Sequence, residues 1–448
     1  MKRIFLYAAC FATAMWVFGC SEETKTAEVP QQFTHQVNLQ NVGTSAAKVA
    51  SVDSLLQSFV DQKKASGIAA FVAKGGNVVY HKAFGWKDIG NREPATVEDY
   101  YILFSQTKAV VTVAFMTLVE QGLVAVNEPV SKYFPGIPDQ VVTSVNEDET
   151  YETRPVESPM TFAHLLSHSS GLNAGPVGQI RRAEMQGARE SESTSSDDTP
   201  GGQRSFGADP ESRYLEDEML ALAEYPLGFD PGTEWNYHIS TNMLGYMIER
   251  ISGKPLREYV KETVLDPLGM DDTDWYYDDP AALDRFVKAY NAVDGELEPA
   301  SNRFSEATVS DKQTYAEGAI GLNGPIEDYA KFCQMLLNKG EFNGQRILQP
   351  ETIQQMTTIN RLPEVNSGGE GFQFGLGFEL YNEQKKPVPE VSNTAYAWGG
   401  LYGTSYIIDP TNDMIALFYL NMPRHEPLYP QFLSKAYQLF ETNSIEQK

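Results

Sequence analysis

Apolar positions recur along this chain with two different spacings. Between Val49 and Lys64 they fall at Val52, Leu55, Leu56, Phe59 and Val60, the spacing of one helix face. Ile68 to Ala73 and Val78 to Phe84 are instead short apolar runs joined through Gly75-Gly76-Asn77, which predicts two strands in a hairpin. A long apolar stretch then begins at Ser105 and stops at Gly122, predicting a helix with Ser105 in its first turn. Thr161 to His168 predicts a short helix closed by Ser169-Ser170-Gly171, and Asn242 to Ile251 and Pro255 to Val264 predict two more around Gly253. Ile326 to Asn338 is a further helical pattern. Toward the C-terminus the period shortens, predicting strands at Phe372 to Leu380, Ala395 to Trp398, Thr404 to Ile408 and Met414 to Leu420. The last two are joined by the turn sequence Asp409-Pro410-Thr411-Asn412-Asp413, and Pro430 to Glu441 closes the chain with a helix.

Strands at both ends and helices between them predict one α/β (α+β) domain, about 47–444, whose sheet is built from both termini. The α/β part is expected at about 47–104 and 315–444, with an inserted helical part at about 105–314. Within the latter, residues of about 184–211 are acidic, serine-rich and of low complexity, which reads as a solvated insertion. A pocket is expected between the two parts.

The first nineteen residues change the picture of where the domain works. Lys2 and Arg3 precede an apolar stretch from Ile4 to Phe18, short for a membrane span and suited to a signal peptide. Val17-Phe18-Gly19-Cys20 resembles a bacterial lipobox, so cleavage before Cys20 and its lipidation are expected; an ordinary secretory signal is the alternative. Ser21 resembles an outer-membrane sorting signal. The expected address is therefore periplasm-facing and lipid-anchored in a Gram-negative bacterium, with residues 20–46 as a polar, flexible tether. Losing Lys2 and Arg3 with the leader takes the formal charge from −25 to −27. Such an acidic surface argues against nucleic acid and anionic lipid as partners. Of Cys10, Cys20 and Cys333, only Cys333 stays free in the mature domain, which leaves no intramolecular disulfide. Its apolar helical surroundings predict a buried residue.

Candidate chemistry centres on Phe104-Ser105-Gln106-Thr107-Lys108. Residues three apart share a helix face, so Lys108 can aim its amine at the Ser105 hydroxyl, which needs a neighbouring base or cation to become a nucleophile. Ser45-Ala46-Ala47-Lys48 has the same spacing, but Ser45 stands where a helix N-cap belongs. A second segment, Asp230-Pro231-Gly232-Thr233-Glu234-Trp235-Asn236-Tyr237, delivers aromatics ahead of a helix. A lysine ammonium about 4 Å from Tyr237 would favour its phenolate by roughly 4 kcal/mol at an effective dielectric of ~20, while burial would oppose it. Tyr237 is thus either a base or a buried phenol. A third segment, Trp398-Gly399-Gly400-Leu401, offers glycines along a strand edge, where substrate could approach the backbone and a free N–H could meet an oxyanion. His164 and His168 have a spacing used for zinc, but Leu165 stands where a metalloprotease needs glutamate, so a structural role near a helix end is expected. Neither a G-x-S-x-G elbow nor a phosphate-binding glycine loop occurs, and no cofactor or metal is expected.

Taken in order, Ser105-x-x-Lys108, Tyr237 and the glycine-rich strand resemble the serine β-lactamase and penicillin-binding-protein superfamily. His164-Leu165-Leu166-Ser167-His168-Ser169-Ser170-Gly171-Leu172, Pro231 to Tyr237, Pro267-Leu268-Gly269-Met270 and Gly321-Leu322 with Glu327-Asp328 resemble its class C-like branch and the family VIII carboxylesterases. The resemblance implies a β-lactamase/transpeptidase-like antiparallel sheet flanked by helices. It also implies acyl transfer through Ser105, proton transfer by Lys108 and Tyr237, and an oxyanion hole from the N–H groups of Ser105 and Leu401. Two departures shape the expected substrate. Ile239 replaces the asparagine of the Tyr-x-Asn motif, and Trp398-Gly399-Gly400 replaces Lys/His-Thr-Gly. Losing that lysine removes a charge-assisted bond of about 1.5–3 kcal/mol to a substrate carboxylate. The expected activity is therefore a carboxylesterase on small neutral esters, with a β-lactamase or D-alanyl-D-alanine carboxypeptidase as the alternative. A non-catalytic lipoprotein binding cell-wall fragments or a protein partner is the rival of another class.

Overall fold

The strand Gly67–Lys74 is buried at every position but its last, and Met414–Tyr419 at all six. Such strands need cover on both faces, and their side chains alternate between two cores. Ala69, Phe71 and Ala73 face one core with Ile415, Leu417 and Tyr419; Ile68, Ala70 and Val72 face the other with Met414, Ala416 and Phe418. The computed structural model describes residues 29–440 apart from 148, 193–214, 309–314, 365 and 367, so the leader and Cys20 lie outside the described residues.

These two strands pair antiparallel, Ala69 opposite Tyr419 and Lys74 opposite Met414, and join the two ends of the domain into one eight-stranded sheet. Its order is Gln373–Phe374, Glu379–Leu380, Tyr396–Gly399, Ser405–Asp409, Met414–Tyr419, Gly67–Lys74, Asn77–Asp88 and Glu93–Pro94, each pair antiparallel. On one face lie the terminal helices Ala46–Asp61 and Tyr429–Gln438, which contribute Val52, Leu56, Phe432 and Leu433. On the other lie Thr107–Glu120, Ser240–Ser252 and Ile326–Leu337, contributing Val110, Met243 and Phe332. Cys333 is a free, buried thiol in the last of these. The expected sheet from both termini, flanked by helices, is the architecture observed.

Three expectations need correction. Phe372 to Leu380 is not one strand but two short ones around Gly375-Leu376-Gly377, where Gly377 takes φ +88° and its N–H donates to Leu166 O. The middle of the chain is not wholly helical: Gln140–Val145 pairs with Tyr151–Pro155, and Tyr290–Val293 with Glu296–Pro299. The segment read as tether is docked from about residue 30. Phe33 packs 5.1 Å from the Phe71 ring and 5.2 Å from Phe342, and Thr34 N donates to Gly76 O. Its few apolar residues are too sparse to register as a period. Of the acidic insertion, the helix Gly175–Glu192 enters the first part and 193–211 lies outside the described residues.

Ser45 is the expected helix cap: its backbone is extended and its side chain accepts from Lys48 N at 3.3 Å. Ser45→Ala should lower stability by about 1 kcal/mol, read as a fall in the urea midpoint with unchanged slope.

Candidate active site

The apolar run after Ser105 forms the most buried helix facing the sheet, Thr107–Glu120, entered through a single 3₁₀ turn at Phe104–Gln106. That entry is pinned from three sides. Tyr329 OH donates to Gln106 O, Tyr419 OH to Gln106 Oε1, and Leu322 N to Thr107 Oγ1. Phe104 is held at φ +46°, a conformation an aromatic residue rarely adopts and one that costs on the order of 1–3 kcal/mol. The strain turns Ser105 out of the helix line into a cleft of about 390 Å³ that it shares with Tyr237 and Trp398.

Lys108 lies directly beneath. Its Nζ is 3.1 Å from Ser105 Oγ, 2.8 Å from Ala319 O and 3.1 Å from His238 Nδ1, and the residue is only 2 % exposed. Burial pulls the amine down from its ordinary range to about 7, against a smaller opposing pull from the Glu317 carboxylate. A neutral amine fits these neighbours. Two N–H groups reach Ala319 O and His238 Nδ1, and the lone pair is left for the Ser105 proton. For Nδ1 to accept, His238 carries its proton on Nε2, which faces Glu317 Oε1 at 3.9 Å. Burial, with Lys108 adding to it, holds His238 well below the usual imidazole range and keeps it neutral. Asn242 braces the arrangement, donating to Glu317 Oε1 at 3.0 Å and accepting from Ala319 N at 2.7 Å.

Tyr237 stands on the opposite side of Ser105. Lys108 Nζ sits over its ring, 4.7 Å from the centre, rather than against the phenol oxygen. Burial pushes the phenol well above its ordinary range, and hydrogen bonds from Ser105 and Trp398 only partly offset this. Of the two bases left open by the sequence, the electrostatics favour Lys108, with Tyr237 a neutral phenol. Trp398 is more than a wall: its Nε1 donates to Tyr237 OH at 2.7 Å.

The glycines beside Trp398 have a packing role as well. A Cβ on Gly400 would fall well inside contact distance of Leu103 O and Thr404 Oγ1, and one on Gly399 would meet Thr404 O at 2.9 Å. Their missing side chains admit the protein's own backbone, while Gly399 also lines the cleft. The close approach sets the turn Gly400–Gly403, closed by Gly403 N donating to Gly400 O, against the residue that precedes Phe104. Leu401 is at the tip of this turn and 59 % exposed, and among the described residues its N–H has no acceptor. Gln106 N donates to Leu103 O, which leaves Ser105 N–H among the free donors of a helix start.

The histidine pair resolves as structural. His164 Nδ1 accepts from Thr161 N at 3.2 Å, capping its own helix, and the buried His168 packs edge-on to the Tyr237 ring at 4.8 Å. Among the described residues one group could offer three ligand atoms to a metal, His35, His81 and Glu327, all within 4.8 Å of one another. Both imidazoles already contact the carboxylate, at 2.9 and 3.3 Å, and none of the three lines the cleft. His238, Glu317 and Asn242 are absent from the expected site. His238 could have been suspected from its position beside Tyr237; Glu317 and Asn242 sit in segments without a motif.

Two relatives share most of this chain. Esterase EstB of Burkholderia gladioli is 26% identical over 395 residues, 84% of this chain and 91% of that protein. A putative D-alanyl-D-alanine carboxypeptidase of Escherichia coli (strain K12) is 24% identical over 477 residues, covering 99% and 96%. Among solved structures, EstCE1, a hydrolase with promiscuous acyltransferase activity, superposes with a TM-score of 0.69 at 23% identity, covering 88% of this chain and 98% of that one. Residues 52–430 match the Beta-lactamase family model, and the chain belongs to that family.

Proposed function

We propose that this protein is a serine hydrolase that works through a covalent acyl-enzyme, and that its substrates are carboxylic esters. The observation that carries the reading is the buried Lys108 amine, poised near neutrality 3.1 Å from Ser105 Oγ. Ser105 gives its proton to Lys108 as it attacks the carbonyl. The negative charge that forms on the carbonyl oxygen is received by the N–H groups of Ser105 and Leu401. Tyr237, neutral and hydrogen-bonded to Ser105, hands a proton to the departing alkoxide, with Trp398 fixing the phenol for that transfer, and the proton held by Lys108 is passed on to the phenolate, which returns both groups to their neutral forms. Water then repeats the sequence on the acyl-enzyme. Absence of a cation at position 398 and the EstB relative support an ester over a carboxylate-bearing lactam. The carboxypeptidase relative, matched over nearly the whole chain, keeps a D-alanyl-peptide activity as the second reading. The lipobox at Cys20 supports a lipid-anchored, periplasm-facing protein, for which Cys20→Ser should release the mature domain from the membrane fraction.

Ser105→Ala should abolish labelling by a fluorophosphonate probe and hydrolysis of nitrophenyl esters. Labelling that persists in Ser105→Ala and disappears in Ser45→Ala would move the nucleophile.

Because Lys108 must be unprotonated to act, kcat/KM for a neutral nitrophenyl ester should rise with pH through about 7 and then level. Lys108→Met should cost at least ~10²–10⁴ in kcat/KM, the usual share of a general base. It should not lower the urea midpoint at pH 7, since the variant no longer buries an amine that water would protonate. A profile still rising between pH 9 and pH 11 would point to an unshifted lysine.

Trp398→Lys should improve binding of a carboxylate-bearing cephalosporin by about 1–2 kcal/mol and reduce turnover of neutral esters, which lose both the aromatic wall and the bond to Tyr237. The ratio of the two kcat/KM values, measured in a mutant that still melts cooperatively, decides whether this position sets substrate charge.

A further inference from the structure

The cleft that opens onto Ser105 contains an acid that the proton transfers above do not use. Glu379 lies on the short strand Glu379–Leu380, opposite Ala397, so alternation turns it to the face of Ala397 rather than that of Trp398, along the same cleft that Ser105 and Tyr237 line. Two residues further on, Tyr381 extends the same edge, its N–H donating to Ala395 O, and alternation brings its ring to the face that carries Glu379. Tyr429 reaches the same cleft from the C-terminal helix, with its hydroxyl buried and without a partner among the described residues. No lining side chain of this cleft is cationic. The carboxylate makes no hydrogen bond among the described residues, and the cation that most influences it, Lys385, is committed elsewhere. Lys385 donates to Gly368 O at 2.6 Å and lies over the Phe372 ring. Lys108 is beneath Ser105, buried, and does not line the cleft.

An unpaired carboxylate walled by aromatic faces is the arrangement that recognises an ammonium group, through charge and ring quadrupole together. We propose that the cleft carries an ammonium subsite in which Glu379, with Tyr381 and Tyr429, selects esters whose acyl group bears a primary or quaternary ammonium. The proposal rests on the reading of Ser105 as the nucleophile facing this cleft. Burial pushes Glu379 up to about 7, with only Lys385 opposing, and the nearby phenols of Tyr381 and Tyr429 are themselves raised and neutral. The charge of Glu379 is therefore one its surroundings do not compensate and a bound cation would. The same charge repels substrate carboxylates, which gives the missing lysine at position 398 a partner in discrimination.

Two nitrophenyl esters isolate the effect, because they differ only in one central atom: 4-(trimethylammonio)butyrate and its neutral isostere 5,5-dimethylhexanoate. The wild-type protein should prefer the ammonium ester by about tenfold in kcat/KM, and Glu379→Gln, which keeps the side-chain size, should bring the ratio close to one. Equal turnover by the wild type, or a preference that survives Glu379→Gln, overturns the subsite. Calorimetry on the Ser105→Ala protein with choline and 3,3-dimethylbutan-1-ol reads the same subsite without turnover. Tighter binding of choline, lost in the Ser105→Ala/Glu379→Gln double variant, supports it, and no difference between the two alcohols overturns it. If neither ester is hydrolysed while choline is still preferred, the subsite stands and the assignment of Ser105 fails.

Discussion

The candidate site depends on keeping one amine out of water. A shift of Lys108 from 10.5 to about 7 corresponds to roughly 5 kcal/mol by which its surroundings disfavour the charged form relative to water. That penalty comes from the packing of the whole central helix, whose residues from Thr107 to Leu118 are all buried, and not from any single neighbour. The nearest acid, Glu317, pulls the other way, and His238 and Asn242 stand between it and the amine in the hydrogen-bonding chain. An acid moved against Lys108 would restore its positive charge. The neutral imidazole thus serves as a spacer that satisfies one amine N–H without adding charge.

Strain supports the same end. Phe104 at φ +46° and His238 at φ +111° are non-glycine residues in unfavourable backbone conformations, and each directly flanks the machinery it positions. Both are held by well-packed surroundings: Phe104 is buried between Tyr402 and Phe304, and the backbone beyond His238 is tied through Ser240 to Ser170. Stability from the cores on either side of the sheet is in effect spent on presenting Ser105 and fixing the environment of Lys108.

Much of this was legible in the sequence, for physical reasons that differ by residue. The central strands announced themselves because burial on both faces leaves no polar position, as in Gly67–Lys74. Ser105, Lys108 and Tyr237 were legible because local spacing and turn chemistry carry them, and the structure brings all three together around one cleft. Gly375 to Gly377 was misread because two glycines in an apolar run look like strand interruptions of no consequence until φ is known. Nothing in the sequence hints at what packs against Gly400: Leu103 approaches it from about three hundred residues earlier in the chain, and no local pattern encodes such a contact. Glu317 and Glu379 were invisible because an acid is unremarkable in so acidic a chain. Only their burial and neighbours distinguish them.

The pairing of Gly67–Lys74 with Met414–Tyr419 also dictates an order of assembly. Gly67–Lys74 pairs on one edge with the neighbouring Asn77–Asp88, but its other edge waits for a partner made almost at the end of synthesis, and the loop closed by that pairing spans most of the chain. Contacts so distant in sequence are slow to form and leave an apolar edge open meanwhile. The arm that carries Trp398 and Leu401 hydrogen-bonds into the same late block of strands, so the cleft comes together last. A ribosome that stops early therefore releases a product with exposed strand edges for proteases to find.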